Sequence, residues 1–376
     1  VLNHKIGADE AENVYASEEE YQNRNIDTTL PTKIKAWTIY NFPMRNNKYS
    51  DFKWNYKHFN GTDWDESGRK NGIFRFSGKH WDKSVDEENG NYDYLMGADI
   101  DFNNSEVVEE LNKWGKWYLD FTRVDNFRLD AVKHIKSGFM ADWIRNMKES
   151  RPNLQCVGEY WNRNIDVLKS YINNTDSTIP LFDVPLHYNF FNASNDPNYN
   201  MSQILEHTLV KENPCMAVTF VDNHDTQPGQ ALQSFVQGWF KSIAYSIILL
   251  RNDGYPCVFY GDYYGIEHDH IEPVNDLKTL MLIRKEKSYG LQHDYFDHNN
   301  FIGWTQEGDD EHISSGIAVV ISNAGDGYKR MYVGNQNVGE TYIDCLGNCE
   351  EEVTIDEEGC GNFGVKSRSV SVWIKK

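Results

Sequence analysis

The stretch NFRLDAVKH, residues 126–134, has a pattern that indicates the fold of this chain: a short apolar strand that ends in charged residues. Its first seven residues have the length and apolar content of a short strand. Arg128 and Asp130 lie two residues apart, so both side chains point to the same side of that strand. A short apolar strand that ends in charged residues recurs further along the chain.

Outward from this stretch, strands alternate with helices. We predict strands at residues 126–132, 155–161, 179–186, 216–223 and 256–262, and helices at residues 105–121, 139–152, 167–172, 202–209 and 235–254. Ser105 is the expected N-cap of the first helix. Five apolar strands that alternate with helices predict a parallel sheet, either a βα barrel or an open doubly wound sheet. No strand is followed by GxGxxG or GxxxxGK[ST], which weakens the nucleotide-binding alternative.

The flanking regions have other patterns. Residues 5–100 combine aromatic residues, glycines and short strand-like pieces, which predicts an irregular β-rich domain. After about residue 290, apolar and polar residues alternate between glycine turns, which predicts a separate all-β domain over residues 291–376. Residues 101–290 then form the βα part.

Composition excludes several classes of partner. The formal charge of -20 argues against nucleic acid and against anionic membranes. No apolar run is long enough for a membrane-spanning helix. The six cysteines lack a zinc-binding pattern, so we read them as free thiols. Cysteines within barrel strands favour a cytoplasmic over a secreted location, and we expect a monomer.

Acidic residues at the strand ends indicate the chemistry. Asp130, Glu159 and Asp225 each follow an apolar strand, and the carboxyl ends of barrel strands form one face where active sites are built. A single acidic residue at a strand end is more often a turn or cap residue. Three in one alternating array suit glycoside hydrolysis, which needs an ionised carboxylate and a protonated carboxylic acid.

The segments FRLDAVKH, VGEYW and FVDNHD resemble hallmark segments of the α-amylase family, glycoside hydrolase family 13. NGNYDYLMGADIDF, FDVPLHYNF, VFYGDYYGI and HDYFDH are similar to the bacterial liquefying type. The resemblance implies an eight-stranded βα barrel, a TIM barrel, with an inserted β-rich domain and a C-terminal antiparallel β-sandwich domain. It also implies retaining endo-hydrolysis of α-1,4-glucosidic bonds in starch, glycogen and related α-glucans.

Residue roles follow from the same resemblance. Asp130 matches the nucleophile, Glu159 the general acid/base and Asp225 the transition-state stabiliser. The positions that match substrate-contacting or carboxylate-orienting residues are His4, Arg128, Lys133, His134, Trp161 and His224.

A calcium site is implied as well. The matching ligands are Asn3, Asp93, Asp99 and the main-chain carbonyl of His134, all of them oxygen donors. Asp82 and Asp101 match ligands of a second site for Ca²⁺ or Na⁺, but Asn60 stands there where an Asp is expected.

Residues 1–4, VLNH, resemble the end of barrel strand three, so we expect a fragment that lacks the first strands. Open strand edges would then make the isolated chain insoluble or inactive. Three alternatives stay open: an oligosaccharide-releasing amylase, a transglycosylase, and a non-catalytic α-glucan-binding protein. The product size and the true N-terminus are not determined by this sequence.

Overall fold

The computed structural model describes residues 2–376, and the chain divides into two compact units. The first unit runs through Trp161 and includes Asp166–Leu181. The second comprises Asn162–Ile165 and Phe182–Lys376. Val1, which belongs to the segment predicted as the end of a barrel strand, lies outside the described residues.

An antiparallel sheet of six strands, in the order β1-β6-β4-β5-β2-β3, occupies the N-terminal part of the first unit. Its strands are β1 His4–Lys5, β2 Glu10–Glu19, β3 Thr32–Ile39, β4 Phe59–Asp65, β5 Lys70–Phe76 and β6 Ala98–Ile100. The placement of β1 differs from the predicted barrel strand. His4 pairs antiparallel with Asp99, and the Ile100 N–H donates to the Asn3 carbonyl at 2.9 Å.

The rest of the first unit alternates helices with parallel strands. These elements are α1 Ser105–Thr122, β7 Asn126–Leu129, α2 Ser137–Ser150, β8 Gln155–Gly158 and α3 Ile165–Asn174. Strands β7 and β8 pair in parallel, and Leu181 of β9 (Leu181–Phe182) pairs with Gly158. The N-cap of α1 is Asn104 and not the predicted Ser105, because the Asn104 side chain accepts from the Glu106 N–H at 2.9 Å.

The second unit continues this alternation. Its elements are α4 Val184–Asn195, α5 Leu209–Glu212, β10 Ala217–Phe220, α6 Gly238–Leu250, β11 Tyr255–Cys257, α7 Tyr260–Tyr264 and α8 Leu277–Glu286. Strands β10 and β11 pair in parallel. The prediction of a single helix over residues 202–209 is wrong. The Asn200 side chain caps a 3-10 turn at Met201–Gln203, and the Thr208 side chain caps the separate helix α5.

The C-terminal region is all β, as predicted. Its strands are β12 Gln292–Tyr295, β13 Phe301–Gln306, β14 Ile317–Ser322, β15 Gly327–Tyr332, β16 Thr341–Asp344, β17 Val353–Thr354, β18 Cys360–Val365 and β19 Ser369–Lys375. Six form one antiparallel sheet, β12-β13-β14-β19-β16-β17, while β15 and β18 form a second. Val320, Tyr342, Phe363 and Trp373 are buried in its core. No helix within residues 2–376 has the length and apolar content to cross a membrane.

Helices α1 and α2 pack closely at Gly115, which generates a prediction. A Cβ at Gly115 would lie 2.6 Å from Met147 Sδ and 2.7 Å from Trp143 Cζ2. Gly115→Ala should therefore destabilise the protein by about 1–3 kcal/mol through overpacking, despite the higher helix propensity of alanine. Urea unfolding of the variant measures this loss.

Gly138 of α2 is the matched control, because a Cβ there meets no heavy atom within 4 Å. Gly138→Ala should leave stability unchanged or raise it by up to about 1 kcal/mol. Equal stability of the two variants would show that the contact at Gly115 is not tight.

Candidate active site

Two carboxyl-bearing residues follow paired positions of neighbouring strands. Leu129 of β7 lies opposite Gly158 of β8, and the next residues are Asp130 and Glu159. Neighbouring strands lie about 4.8 Å apart, so matched positions bring their side chains together. The Glu159 N–H donates to the Leu129 carbonyl at 2.8 Å, which continues the pairing past the strand ends. Asp130 and Glu159 therefore follow directly after paired residues at the carboxyl ends of two neighbouring strands of the first unit.

The turn after Asp130 orients Glu159. Ala131 has a left-handed backbone with φ 52°, and its N–H donates to Glu159 Oε2 at 2.8 Å. The Val132 N–H donates to the Glu159 carbonyl at 3.1 Å. Glu159 is buried, with 8% of its surface exposed. The Glu159 carboxyl group is thereby fixed by the backbone of the neighbouring turn.

Asp130 has a different environment. Its Oδ1 is paired with Nη1 of Arg128, two residues earlier on the same side of β7. About a third of each side chain is exposed, 36% for Arg128 and 32% for Asp130. Arg128 and Asp130 therefore form an ion pair that leaves the Asp130 carboxylate within reach of solvent.

The predicted substrate-contacting residues of the first unit differ in accessibility. His4 and Trp161 are half-buried. Lys133 is buried and donates from Nζ to Glu88 Oε2 at 2.9 Å and to the Trp161 carbonyl at 3.3 Å. The His134 ring is buried as well, and its Nδ1–H donates to the Tyr92 carbonyl at 2.7 Å.

Burial also sets the charge of the His134 ring. It lowers the pKa of the ring to about 4, so the imidazole is neutral at pH 7. These contacts place the His134 side chain in the packed interior, which differs from the predicted contact with sugar. Its carbonyl, in contrast, reaches the oxygen cluster described below.

The loop that follows β10 carries the remaining predicted residues. His224 and Asp225 are adjacent, with His224 Nε2 3.3 Å from Asp225 Oδ2, and both are accessible to solvent. Asn223 Oδ1 accepts from the backbone N–H groups of Asp225 at 2.9 Å and Thr226 at 3.0 Å. The loop backbone is thus ordered around the Asp225 position.

Sequence reasoning missed a buried group of charges beneath this loop. Lys241 Nζ lies 3.1 Å from Asp222 Oδ2 and also pairs with Asp262 Oδ1. All three residues are at most 2% exposed. The available signal was a single charged residue, Lys241, within the largely apolar stretch WFKSIAYSIILL of helix α6.

A second cluster in the first unit consists of oxygen donors around Asn3. The Asn3 amide nitrogen lies 2.7 Å from the His134 carbonyl, 3.1 Å from the Asp93 carbonyl and 3.4 Å from Asp99 Oδ1. Asn3, Asp93 and Asp99 are fully buried. The four predicted calcium ligands are therefore brought together. The orientation of the Asn3 amide is assigned and can be reversed, which would direct its oxygen at the same point.

The carboxylates of this cluster are incompletely compensated. Burial and mutual repulsion raise the pKa of Asp93 well above its usual range, and burial does the same for Asp99. Asp93 Oδ1 and Asp82 Oδ2 are buried without a hydrogen-bond partner. Within residues 2–376, no group of three or more His, Cys, Asp and Glu side chains has metal-binding geometry. The Asn3 cluster instead combines amide and main-chain carbonyl oxygens with the carboxylates of Asp93 and Asp99.

At the predicted second cation site, protein groups already contact the carboxylates. Lys79 Nζ lies 2.5 Å from Asp101 Oδ2, and the Asn60 amide donates to Asp99 Oδ2 at 3.1 Å. Asp82 Oδ1 accepts from the Asn103 amide at 2.8 Å. These donors disfavour a second cation bound by Asp82 and Asp101.

Comparison with known proteins gives matches over the whole chain. A family profile described as the α-amylase catalytic domain matches residues 17–310, and one described as the α-amylase C-terminal domain matches residues 317–374. The α-amylase of Bacillus licheniformis is 49% identical over 382 residues, covering 100% of this chain and 75% of that protein. The glucan 1,4-alpha-maltohexaosidase of Bacillus sp. strain 707 is 47% identical, covering 100% of this chain and 74% of that protein.

Solved structures give the same answer for the fold. An Anoxybacillus α-amylase matches with a TM-score of 0.59 at 17% identity, covering 74% of this chain and 65% of that one. An α-amylase from Geobacillus thermoleovorans matches with the same score and identity, covering 79% and 71%. These matches confirm the predicted fold class. The chain spans about two thirds to three quarters of the length of the proteins it matches.

His187 generates a pH prediction for the loop after β10. Its ring is fully buried, with Nδ1 2.6 Å from the Val221 carbonyl and Nε2 2.8 Å from Ser234 Oγ. Burial lowers the pKa of His187 from 6.5 to about 4. Below pH 6.5 the unfolded chain binds this proton and the folded chain does not, so stability falls until about pH 4.

The expected loss from this residue between pH 7 and pH 5 is about 2 kcal/mol. His187→Gln should be less stable at pH 7 but should lose that much less on acidification, as measured by urea unfolding at both pH values. His268→Gln is the control, because 95% of that side chain is exposed. If His187→Gln and His268→Gln had the same pH dependence, His187 would not be the responsible group.

Proposed function

The chain belongs to the α-amylase family, and on that basis we propose that it hydrolyses internal α-1,4-glucosidic bonds of starch, glycogen and related α-glucans with retention. The observation that carries this proposal is the placement of Asp130 and Glu159 after paired residues of β7 and β8. Retention requires two carboxyl groups about 5–5.5 Å apart, which is close to the spacing of neighbouring strands.

The two carboxyl groups have environments that suit different roles. Glu159, buried and held by the Ala131 N–H, is proposed to protonate the glycosidic oxygen as the leaving group departs. Asp130, half-exposed and oriented by Arg128, is proposed to attack the anomeric carbon and form a covalent glycosyl-enzyme. Water then cleaves this intermediate, with Glu159 acting as the base that removes its proton.

The remaining residues are assigned binding roles. We propose that Asp225 binds sugar hydroxyls more strongly as the ring approaches the transition state, which is differential binding. His224 is adjacent and exposed, and we propose that it contacts the same sugar. Arg128 orients the nucleophile, and His4 and Trp161 line the substrate side. We assign no sugar contact to the buried His134 ring and propose a role only for its main-chain carbonyl, which contacts Asn3.

A second candidate function is the release of a defined oligosaccharide. It is favoured by the 47% identity to a protein named glucan 1,4-alpha-maltohexaosidase. Chromatography of the products of soluble starch separates the candidates. A broad early mixture of maltooligosaccharides supports internal cleavage, a single dominant product supports the second candidate, and products longer than the substrate indicate transglycosylation. Binding without any release of reducing ends would indicate a non-catalytic glucan-binding protein.

Glu159→Gln tests the general acid. Loss of the proton donor should lower kcat on starch by about 10²–10⁴-fold, because general acid–base groups contribute about this much. Binding of maltooligosaccharides, measured by calorimetry, should be kept. The control is Glu149→Gln, an exposed glutamate of α2, which should keep full activity. Unchanged starch hydrolysis by Glu159→Gln would remove this residue from its role.

We also propose that one calcium ion binds Asn3, Asp93, Asp99 and the His134 carbonyl. The support is that the Asp93 carbonyl, Asp99 Oδ1 and the His134 carbonyl all lie within 3.4 Å of the Asn3 amide nitrogen. In addition, Asp93 Oδ1 is buried without a hydrogen-bond partner. Oxygen donors of this kind are those that Ca²⁺ prefers. When bound, the ion would neutralise Asp93 and Asp99 and hold the segment after β7 against the N-terminal sheet of the first unit.

Chelation tests the calcium proposal without measuring activity. A cation that binds only the folded state, and is present at a concentration of 100 times its Kd, stabilises the folded protein by about 2.7 kcal/mol. EGTA should therefore lower the Tm, and added Ca²⁺ should restore it. Asp93→Asn should abolish this dependence, while Asp142→Asn, an exposed carboxylate of α2, should keep it. Identical melting curves with and without EGTA would refute the site.

A further inference from the structure

A buried triad of charges lies beneath the loop that carries Asp225. Lys241, on helix α6, contacts Asp222 in the loop after β10 and Asp262 on helix α7. Asp262 Oδ2 also accepts from the Tyr245 hydroxyl at 2.7 Å, one turn further along α6. The Lys241 ammonium lies 3.4 Å from the centre of the Phe235 ring. This one ammonium group therefore connects three segments of the second unit.

Asp222 transmits this anchoring to the loop. Its Oδ1 accepts from the Thr226 hydroxyl at 2.8 Å, and its carboxylate accepts from the Val236 N–H at 3.2 Å. Thr226 Oγ1 in turn accepts from the Asn223 N–H at 3.0 Å. Residues 222 and 226 are thus joined across the loop, with His224 and Asp225 between them. Hydrogen bonds thus link residues 222, 223 and 226, while the side chains of His224 and Asp225 remain accessible to solvent.

We propose that Lys241 is a positioning residue for catalysis, which fixes the 222–226 loop through Asp222 and so sets the position of the Asp225 carboxylate. This inference rests on the proposed function, because the role of Asp225 comes from there. Lys241 itself is 2% exposed, and Asp222 is the loop residue with which it pairs. Its effect on the reaction is therefore indirect.

The chemistry of the triad explains why a cation is needed at this point. An ionised Asp222 accepts hydrogen bonds from Thr226 and Val236 at the same time. Without Lys241, two buried carboxylates would face each other, and one would have to bind a proton or move toward water. Burial already raises the pKa of Asp222 to about 7 with Lys241 present. A displaced Asp222 would release Thr226 and with it the loop.

Lys241→Met tests the proposal, since methionine keeps most of the side-chain length without the charge. We expect kcat on a maltooligosaccharide to fall by about 10–100-fold, because misplacement of a group by about 1 Å costs up to about 10²-fold. KM should change much less, since most sugar contacts are retained. Both constants are measured well below the Tm of the variant.

Arg251→Met is the matched control for a purely structural effect. Arg251 is also a buried cation of the second unit, 5% exposed, and its ion pairs are with Asp294 at 2.7 Å and Asp253 at 3.3 Å, both outside the 222–226 loop. Its loss should lower the Tm while kcat stays at the wild-type value. If Lys241→Met behaved in the same way, with lower Tm and unchanged kcat, Lys241 would be structural only and the proposal would be wrong.

The double variant Lys241→Met/Asp262→Asn covers the case in which the single variant folds poorly. It removes the excess carboxylate together with the ammonium, so stability should be partly regained. The proposal expects kcat to stay low, because the contact that anchors Asp222 is still absent. Recovery of wild-type kcat would overturn it. Absence of starch hydrolysis in the wild-type protein would refute the proposed function instead, which keeps the two failures distinct.

Discussion

The register between β7 and β8 is the constraint on which the catalytic part of the first unit depends. Leu129 opposite Gly158 places Asp130 beside Glu159, and three hydrogen bonds join Glu159 to residues 129, 131 and 132. A shift of one residue would turn every side chain of the strand to the other face. Asp130 and Glu159, the proposed nucleophile and general acid, would then no longer lie at the same edge of the sheet. The same turn also delivers the His134 carbonyl to Asn3, so the Asn3 cluster depends on this register as well.

The two units compensate buried negative charge in different ways. In the second unit, Asp222 and Asp262 share the ammonium of Lys241, a cation that the chain itself supplies. In the first unit, Asp93 and Asp99 are as deeply buried but have amides and backbone groups as partners, and their pKa values are raised. A carboxylate in that setting is stabilised by a proton or by an external cation. The Asn3 cluster is therefore suited to an external cation that can be removed. In the Lys241 triad, the cation is the lysine ammonium group itself, which is part of the chain.

Periodic features of the fold could be predicted from the sequence, and local capping could not. The 3.6-residue repeat of α1 and α2 and the apolar strands of β7, β8 and β10 are found close to their predicted positions. Residues 202–209 have a helical pattern, but Asn200 and Thr208 capture backbone N–H groups and divide the segment. The strand predicted over residues 179–186 includes the first turn of the helix Val184–Asn195. Pro185 is compatible with the start of a helix, and the Asp183 side chain caps this start in the structure.

The candidate site shows the same division between pattern and three-dimensional contact. The acidic residues that follow apolar strands, Asp130, Glu159 and Asp225, can be identified in the sequence. Lys241 is not, because a lysine in an apolar helix acquires its meaning only from the carboxylates that the fold brings to it. The burial of the His134 ring against Tyr92 likewise depends on a pairing 42 residues apart in sequence.

Ala131 shows how strain and hydrogen bonding are balanced at the strand edge. A left-handed backbone at a residue other than glycine costs about 1–2 kcal/mol, and Ala131 has a φ of 52°. In this conformation its N–H is directed at the Glu159 carboxyl group, while the next N–H reaches the Glu159 backbone. Each of these two hydrogen bonds contributes about 0.5–1.5 kcal/mol, so together they are comparable with the cost of the strained turn. The strain is thus maintained by the carboxyl group that it positions, and displacement of Glu159 would also release the turn that carries Asp130.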